Sequence, residues 1–263
     1  MVLHTPPHLG VLPPAAPTGP LGEQAANLLG EQAIGPAGQQ PADLVLWLVR
    51  HGESTWNALG LAQGHCDQAR LTSRGIRQAH DAASQLRGRP IGAVYASDLQ
   101  RAVATAAPLA AALGLAFTHD PRLRERCLGV LEGTRSVTVP AALSGVAGSH
   151  VIDPDARPPD GESLRDLYWR VAGFADDLLA ARQAPSISQP DPGAILPAPG
   201  AILLAPGAGP SEIAVVAHGG TLRVLTAYLR GVPVERMTWE PIGNGCILRL
   251  QPHQPACSRR EQR

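Results

Sequence analysis

The sequence predicts an α/β fold built on a mainly parallel sheet. Short, continuous apolar runs alternate along the chain with longer segments of helical period, the pattern of strands buried on both faces and of helices covering them. Two of the runs end in the same step, His followed by Gly. The length of 263 residues suffices for a self-sufficient core. With 44% hydrophobic but only 3% aromatic residues, that core has to be aliphatic and rich in alanine.

The elements follow in order. Leu44–Val49 (LVLWLV) is a continuous apolar run, as expected of a buried strand. Thr72 is placed to cap a helix with Ile76, Ala79, Ala83 and Leu86 on one face. Ile91–Ala96 is a second strand. Ser97 or Asp98 can cap the next helix, which carries Leu99, Ala102, Val103, Ala106, Ala110 and Leu113 and contains Pro108, a residue that bends helices. Leu115–Thr118 reads as a short strand. Ser163 and Asp166 make a capping-box-like start for a helix with Leu164, Leu167, Tyr168, Val171, Phe174 and Leu178 on one stripe. Ile213–Ala217 is another buried strand, with a helix from Thr221 to Leu229 and a last strand, Cys246–Leu250.

Composition bounds the organisation. Residues 1–41 hold eight prolines and no sustained period, and are expected to form a disordered leader with one helical turn around Glu23–Leu29. Residues 184–210 are a Pro/Gly-rich low-complexity insertion in which Pro-Gly-Ala-Ile-Leu occurs at 192–196 and again at 199–203. The folded domain is expected over 42–252, with a flexible tail at 253–263. Lys+Arg and Asp+Glu both number 22, so no nucleic acid or anionic membrane is expected as the main partner. All 22 basic residues are Arg. Four cysteines, at 66, 127, 246 and 257, form no C-x-x-C pair. That argues against a disulfide framework or a Cys-rich zinc site and fits a reducing cytoplasm. No apolar run reaches the length of a membrane span, and the Pro-broken N-terminus does not read as a secretory signal.

His51 and His218 each follow an apolar strand run directly and each precede a glycine. If the two strands are parallel, both histidines lie at the carboxyl edge of the sheet, where open α/β sheets bind ligands. Gly52 and Gly219 let backbone approach a ligand, and a helix opening just after His218 favours an anion at its N-terminus. Arg50 precedes His51, and Arg101 falls in the first turn of a helix that follows a strand, so both can reach the same edge. Two guanidiniums, two imidazoles and a helix N-terminus suit a dianionic phosphoryl group, and a neutral imidazole beside it can attack phosphorus. No metal is expected. The histidines lack ligand spacing, and His65-Cys66-Asp67 reads as a loop because adjacent residues do not readily face one ion.

At these residues the sequence resembles the histidine phosphatase superfamily, the phosphoglycerate mutase-like group. LVRHGESTWN (48–57) is similar to the family's opening signature. Gln63-Gly64 and Leu71-Thr72-x-x-Gly75-x-x-Gln78-Ala79 match the next block, although Asp67 to Leu71 is one residue longer than usual and lacks a proline. Ala96-Ser97-Asp98-Leu99-Gln100-Arg101-Ala102, Leu123-Arg124-Glu125, Gly129 with Leu131-Glu132-Gly133, Gly161-Glu162-Ser163 and Ala217-His218-Gly219-Gly220 follow in family order. The resemblance implies a three-layer α/β/α sandwich, phosphoglycerate mutase-like. It implies that His51 becomes a phosphohistidine, that Arg50, Arg101 and His218 bind the phosphoryl oxygens, and that Asn57 and the Gly219 amide donate to them. Glu125 would be the general acid and then the base, and Ser54 would line the pocket. No cofactor is implied, and the partner is a small-molecule phosphomonoester.

The same resemblance leaves two enzymatic outcomes. Water accepts the phosphoryl group in a phosphatase, and a retained substrate accepts it in a mutase. The segment ERCLGVLEGTRS resembles the mutase start, but the chain has no lysine and no Arg-Arg pair between 126 and 160. Phosphatase chemistry is therefore expected, with mutase transfer as the alternative and a non-enzymatic phospho-ligand binder as a third reading. Phe117, Trp56 and residues 136–159 are expected to shape the leaving-group pocket. The physiological substrate and the oligomeric state are not legible.

Overall fold

Apolar runs with no polar interruption can be buried only where both faces of a sheet are covered, and the chain is arranged that way. The computed structural model describes residues 44–139, 143, 153–183 and 211–252. Its sheet has five strands: β1 (Val45–Arg50), β2 (Ile91–Ala96), β3 (Phe117–His119), β4 (Glu212–Ala217) and β5 (Ile247–Leu250), in the order β3-β2-β4-β1-β5. The first four run parallel and β5 pairs antiparallel with β1 at the edge. The helices with described bounds are α1 (Thr55–Ala58), α2 (Ser73–Leu86), α3 (Gln100–Leu113), α4 (Leu164–Gln183) and α5 (Gly219–Leu229).

Side chains alternate across a strand, and this makes three layers. Leu46, Leu48, Ile213, Val215 and Ala217 face one side and pack with Leu167, Val171, Phe174 and Leu178 of α4 and Leu222 and Leu225 of α5. Val45, Trp47, Val49, Ala214 and Val216 face the other side, against Ala82, Ala83 and Leu86 of α2 and Ala102, Ala106 and Leu109 of α3. Each fully buried aliphatic side chain contributes roughly 1.5–3 kcal/mol. The α2/α3 layer is made largely of alanine, as the composition requires. Of the expected apolar face of α2, Ile76 is the exception: it is 50% exposed, and the helix instead buries Gly75 and Ala82 beside Ala79, Ala83 and Leu86.

Helix ends show what one strand of sequence cannot. Thr72 caps α2 as expected, its Oγ1 accepting from the Gly75 amide at 3.1 Å. Ser163 and Asp166 form the expected reciprocal box at the start of α4. Neither Ser97 nor Asp98 takes the N-cap position of α3, which Leu99 occupies. Asp98 is drawn off into a two-bond pair with Arg124, and the Gln100 amide is satisfied by Asp67 Oδ1 at 2.7 Å, from a loop 33 residues away. α5 starts two residues earlier than the sequence suggests, at Gly219 with His218 as its N-cap residue, because the Gly-Gly step itself takes helical conformation. The leader, the 184–210 insertion and the tail expected from composition lie outside the described residues, as does most of 140–152.

Candidate active site

The register of the two central strands creates the site. β1 and β4 are neighbours with Arg50 opposite Ala217, so the next residues, His51 and His218, leave the sheet side by side. Their rings lie 5.1 Å apart, centroid to centroid, and both residues are buried. His51 Nδ1 is 2.7 Å from the Gly52 carbonyl oxygen. A carbonyl can only accept, so Nδ1 carries the proton and Nε2 keeps its lone pair. Burial, and then the positive charges of Arg101 and Arg50, hold this imidazole well below its ordinary range, so it stays neutral. His218 is held down in the same direction by burial, Arg101 and His51. Its Nε2 lies 2.8 Å from Ser97 Oγ, which also accepts from the Leu99 amide.

Two arginines flank the histidines. Arg101, buried in the first turn of α3, donates from Nη1 to the Cys66 carbonyl and from Nη2 to the Gly64 carbonyl, each at 2.8 Å. Arg50 donates from Nη1 to the Ile242 carbonyl. Among the described residues neither forms an ion pair, and the Nε atoms of both, with His218 Nδ1, are buried without a hydrogen-bond partner. An unpaired buried polar group costs roughly 1–3 kcal/mol, and phosphoryl oxygens are acceptors suited to offset it. His51, Arg50, Arg101, His218, Asn57 and Glu125 all line one cavity of about 270 Å³.

Glu125 enters from the loop before the 129–131 turn. Its Oε1 accepts from the Arg126 amide and its Oε2 from the Gly220 amide, both at 2.9 Å. The second bond ties the carboxyl group to the first turn of α5. Gly219 also lines the cavity, and its missing side chain leaves room for the Arg50 and Arg223 guanidiniums.

Other expectations are corrected. Ser54 does not line the cavity. It is fully buried as the N-cap of α1 and forms a capping box with Asn57, its Oγ also donating to Gln63 Oε1 at 2.9 Å. Its hydroxyl is engaged by the Asn57 amide and by Gln63. Phe117 sits on edge strand β3 against His119 and the α2/α3 core, and Trp56 packs beside Gly133, so neither reaches the cavity. The aromatic wall is Trp239, with the Arg223 guanidinium 4.7 Å from its ring centroid. Of the 136–159 segment, Ser136, Val139 and Leu143 do line it. Sequence reasoning missed Arg126, Arg223, Trp239 and Ser97. Arg223 could have been found, because it stands four residues after Gly219 and therefore on the same face of the helix. Trp239 lies in an aperiodic loop with no such signal. His65-Cys66-Asp67 is a loop, as expected, but not an idle one: Cys66 holds Arg101 and Asp67 holds α3. Among the described residues no group of three or more His, Cys, Asp or Glu is placed to hold a metal ion. No helix among them is long and apolar enough to cross a membrane.

The family model described as histidine phosphatase superfamily (branch 1) matches residues 46–187 and 203–260. A probable phosphoglycerate mutase GpmB of Yersinia pestis (strain Pestoides F) is 35% identical over 198 residues, covering 72% of this chain and 76% of that protein. Among solved structures, a mycobacterial glucosyl-3-phosphoglycerate phosphatase complexed with VO3 superposes with a TM-score of 0.61 at 29% identity, over 79% of this chain and 92% of the other. A putative α-ribazole-5′-phosphate phosphatase from Escherichia coli K-12 does so with a TM-score of 0.62 at 28% identity, over 81% and 92%.

Proposed function

The chain belongs to the histidine phosphatase superfamily, branch 1, and from that premise we propose that it is a metal-independent phosphomonoesterase acting through a phosphohistidine on His51. The observation that carries the reading is the protonation geometry of His51. Its proton is fixed on Nδ1 by a carbonyl, its ring is kept neutral by burial and two cations, and among the described residues neither cation forms an ion pair and the Nε of each is buried without a hydrogen-bond partner. Such a ring is a nucleophile at the pH where a phosphomonoester is a dianion.

In this reading Nε2 of His51 forms a bond to phosphorus as the ester P–O bond breaks. Arg50, Arg101, His218, Asn57 and the Gly219 amide bind the non-bridging oxygens, each donor worth roughly 2.7–4 kcal/mol by analogy with oxyanion holes. Glu125 gives its proton to the departing alkoxide and then removes one from the water that attacks phosphohistidine, which restores the carboxyl and the free imidazole. Ser97 accepts from the Leu99 amide, and its hydroxyl hydrogen is then free for His218 Nε2, so that His218 presents Nδ1–H as a donor.

A second reading has its own support. Mutase transfer differs only in the acceptor, the Yersinia relative is named a mutase, and Arg126 and Arg223 add basic residues to the cavity. The test is hydrolysis of p-nitrophenyl phosphate in excess chelator, wild type beside His51→Ala. Chelator-resistant turnover that drops at least about a thousandfold in the variant is the expected result. Turnover seen only as transfer between phosphorylated acids would select the mutase, and activity retained by His51→Ala would refute the nucleophile.

A further inference from the structure

The general acid stands on irregular chain. Residues 124–128 belong to no helix or strand, yet a proton donor has to be placed to within a few tenths of an ångström. We propose that Arg170 and Glu162 are positioning residues for Glu125, a clamp that fixes the backbone on both sides of the acid. This rests on the assignment of Glu125 made above.

One guanidinium gathers two carbonyls of that loop and one from the turn that leads into it. Arg170, on α4, donates from Nη1 to the carbonyl oxygens of Arg122 at 2.8 Å and Arg124 at 3.0 Å, and from Nη2 to that of Glu125 itself at 3.1 Å. The remaining edge of the fork is taken by Glu162, with Nε to Oε1 at 2.8 Å and Nη2 to Oε2 at 2.7 Å. Glu162 then grips the loop beyond the acid. Its Oε2 accepts from the Cys127 amide, its own amide donates to the Cys127 carbonyl, and its carbonyl accepts from Arg126 Nε at 2.7 Å. Burial works against ionisation of Glu162, but the hydrogen bonds and charge of Arg170 outweigh it and hold the carboxyl below the usual range. Both side chains are about one-fifth exposed. An isolated pair at that depth adds little stability, and what distinguishes this one is its three extra bonds to the loop and the turn that leads into it. Lysine could keep the charge but not the planar fork that reaches carbonyls and carboxylate together.

The test separates positioning from stability by leaving group. p-Nitrophenolate departs with little help from an acid, whereas an alkoxide needs the proton. Because kcat also contains the phosphohistidine hydrolysis that both esters share, the skew is read in kcat/KM: Glu125→Gln should lose at least ~100-fold in kcat/KM on an alkyl phosphate and under ~10-fold on p-nitrophenyl phosphate. Arg170→Lys should show the same skew, at least ~10-fold greater on the alkyl ester, and Arg170→Lys in the Glu125→Gln background should add almost none of it, because the two act through one group. Glu162→Gln, which keeps the shape and one acceptor oxygen, supplies the same comparison if Arg170→Lys folds poorly. Equal losses on both esters, or losses that add in the double variant, would refute the clamp and leave Glu125 standing. A Glu125→Gln enzyme with no skew would remove the acid assignment and the clamp together.

Discussion

At Gly220 the chain has no room for a side chain. A Cβ there would lie 2.2 Å from Glu125 Oε1, while the Gly220 amide holds Oε2 of the same carboxylate at 2.9 Å. The residue is helical with nothing unusual in its backbone, so its reason for being glycine is close approach alone. Gly220→Ala is therefore expected to push Glu125 out of place without breaking α5. Its kcat on alkyl phosphates should fall by roughly 10–100-fold, in line with the cost of a small misplacement, and its Tm should stay within a few degrees of wild type. Steady-state kinetics beside a thermal melt check this, and an unchanged kcat would mean that Glu125 does no chemistry. Gly52 follows the same logic beside His51, where a Cβ would lie 2.3 Å from the Gly75 carbonyl oxygen.

α3 depends on a residue outside itself. It places Arg101 at the site, but its sequence offers no working cap, since Leu99 has no side-chain acceptor and Asp98 is committed to Arg124. Asp67 closes the helix end through the Gln100 amide, from the same loop whose Gly64 and Cys66 carbonyls hold the Arg101 guanidinium. One loop thus fixes both the helix and the side chain it carries. Asp67→Ala is expected to cost about 1 kcal/mol of stability, the usual cost of a lost cap, and to raise KM for any phosphomonoester. Urea unfolding and initial rates measure the two effects. A stability loss with no change in KM would show that Arg101 is held by the carbonyls alone.

Two buried neutral histidines make the whole domain sensitive to acid. Both have folded pKa values well below the ordinary 6.5, set first by burial. The unfolded chain takes up protons near 6.5 that the folded state refuses, so stability is full above that value and is lost as pH falls below it towards the folded values. In a phosphate-free buffer, Tm should fall between about pH 7.5 and about pH 5.5. The fall should be smaller when both positions carry asparagine, which has no proton to gain. An equal fall in that variant would assign the acid sensitivity to other groups.

Apart from Glu125, to which only the family resemblance pointed, the sequence by itself determined the strands, the alternation that makes the sheet mainly parallel and doubly covered, and the positions of His51, His218, Arg50 and Arg101. These are legible because strand burial, helix period and turn chemistry are local. A run such as Leu44–Val49 has to be interior, and the residue that ends it has to emerge at an edge. Only the tertiary structure decided which groups those residues meet. It placed Ser54 under Asn57 rather than in the cavity, put Trp239 where Phe117 and Trp56 were expected, let Asp67 cap a helix 33 residues away, and gathered the loop around Glu125 onto Arg170. Each of these is a contact between segments far apart in the chain. Hydrogen-bond partners and close approaches of that kind are fixed by the register and packing of the assembled layers, and no local period in the sequence encodes them.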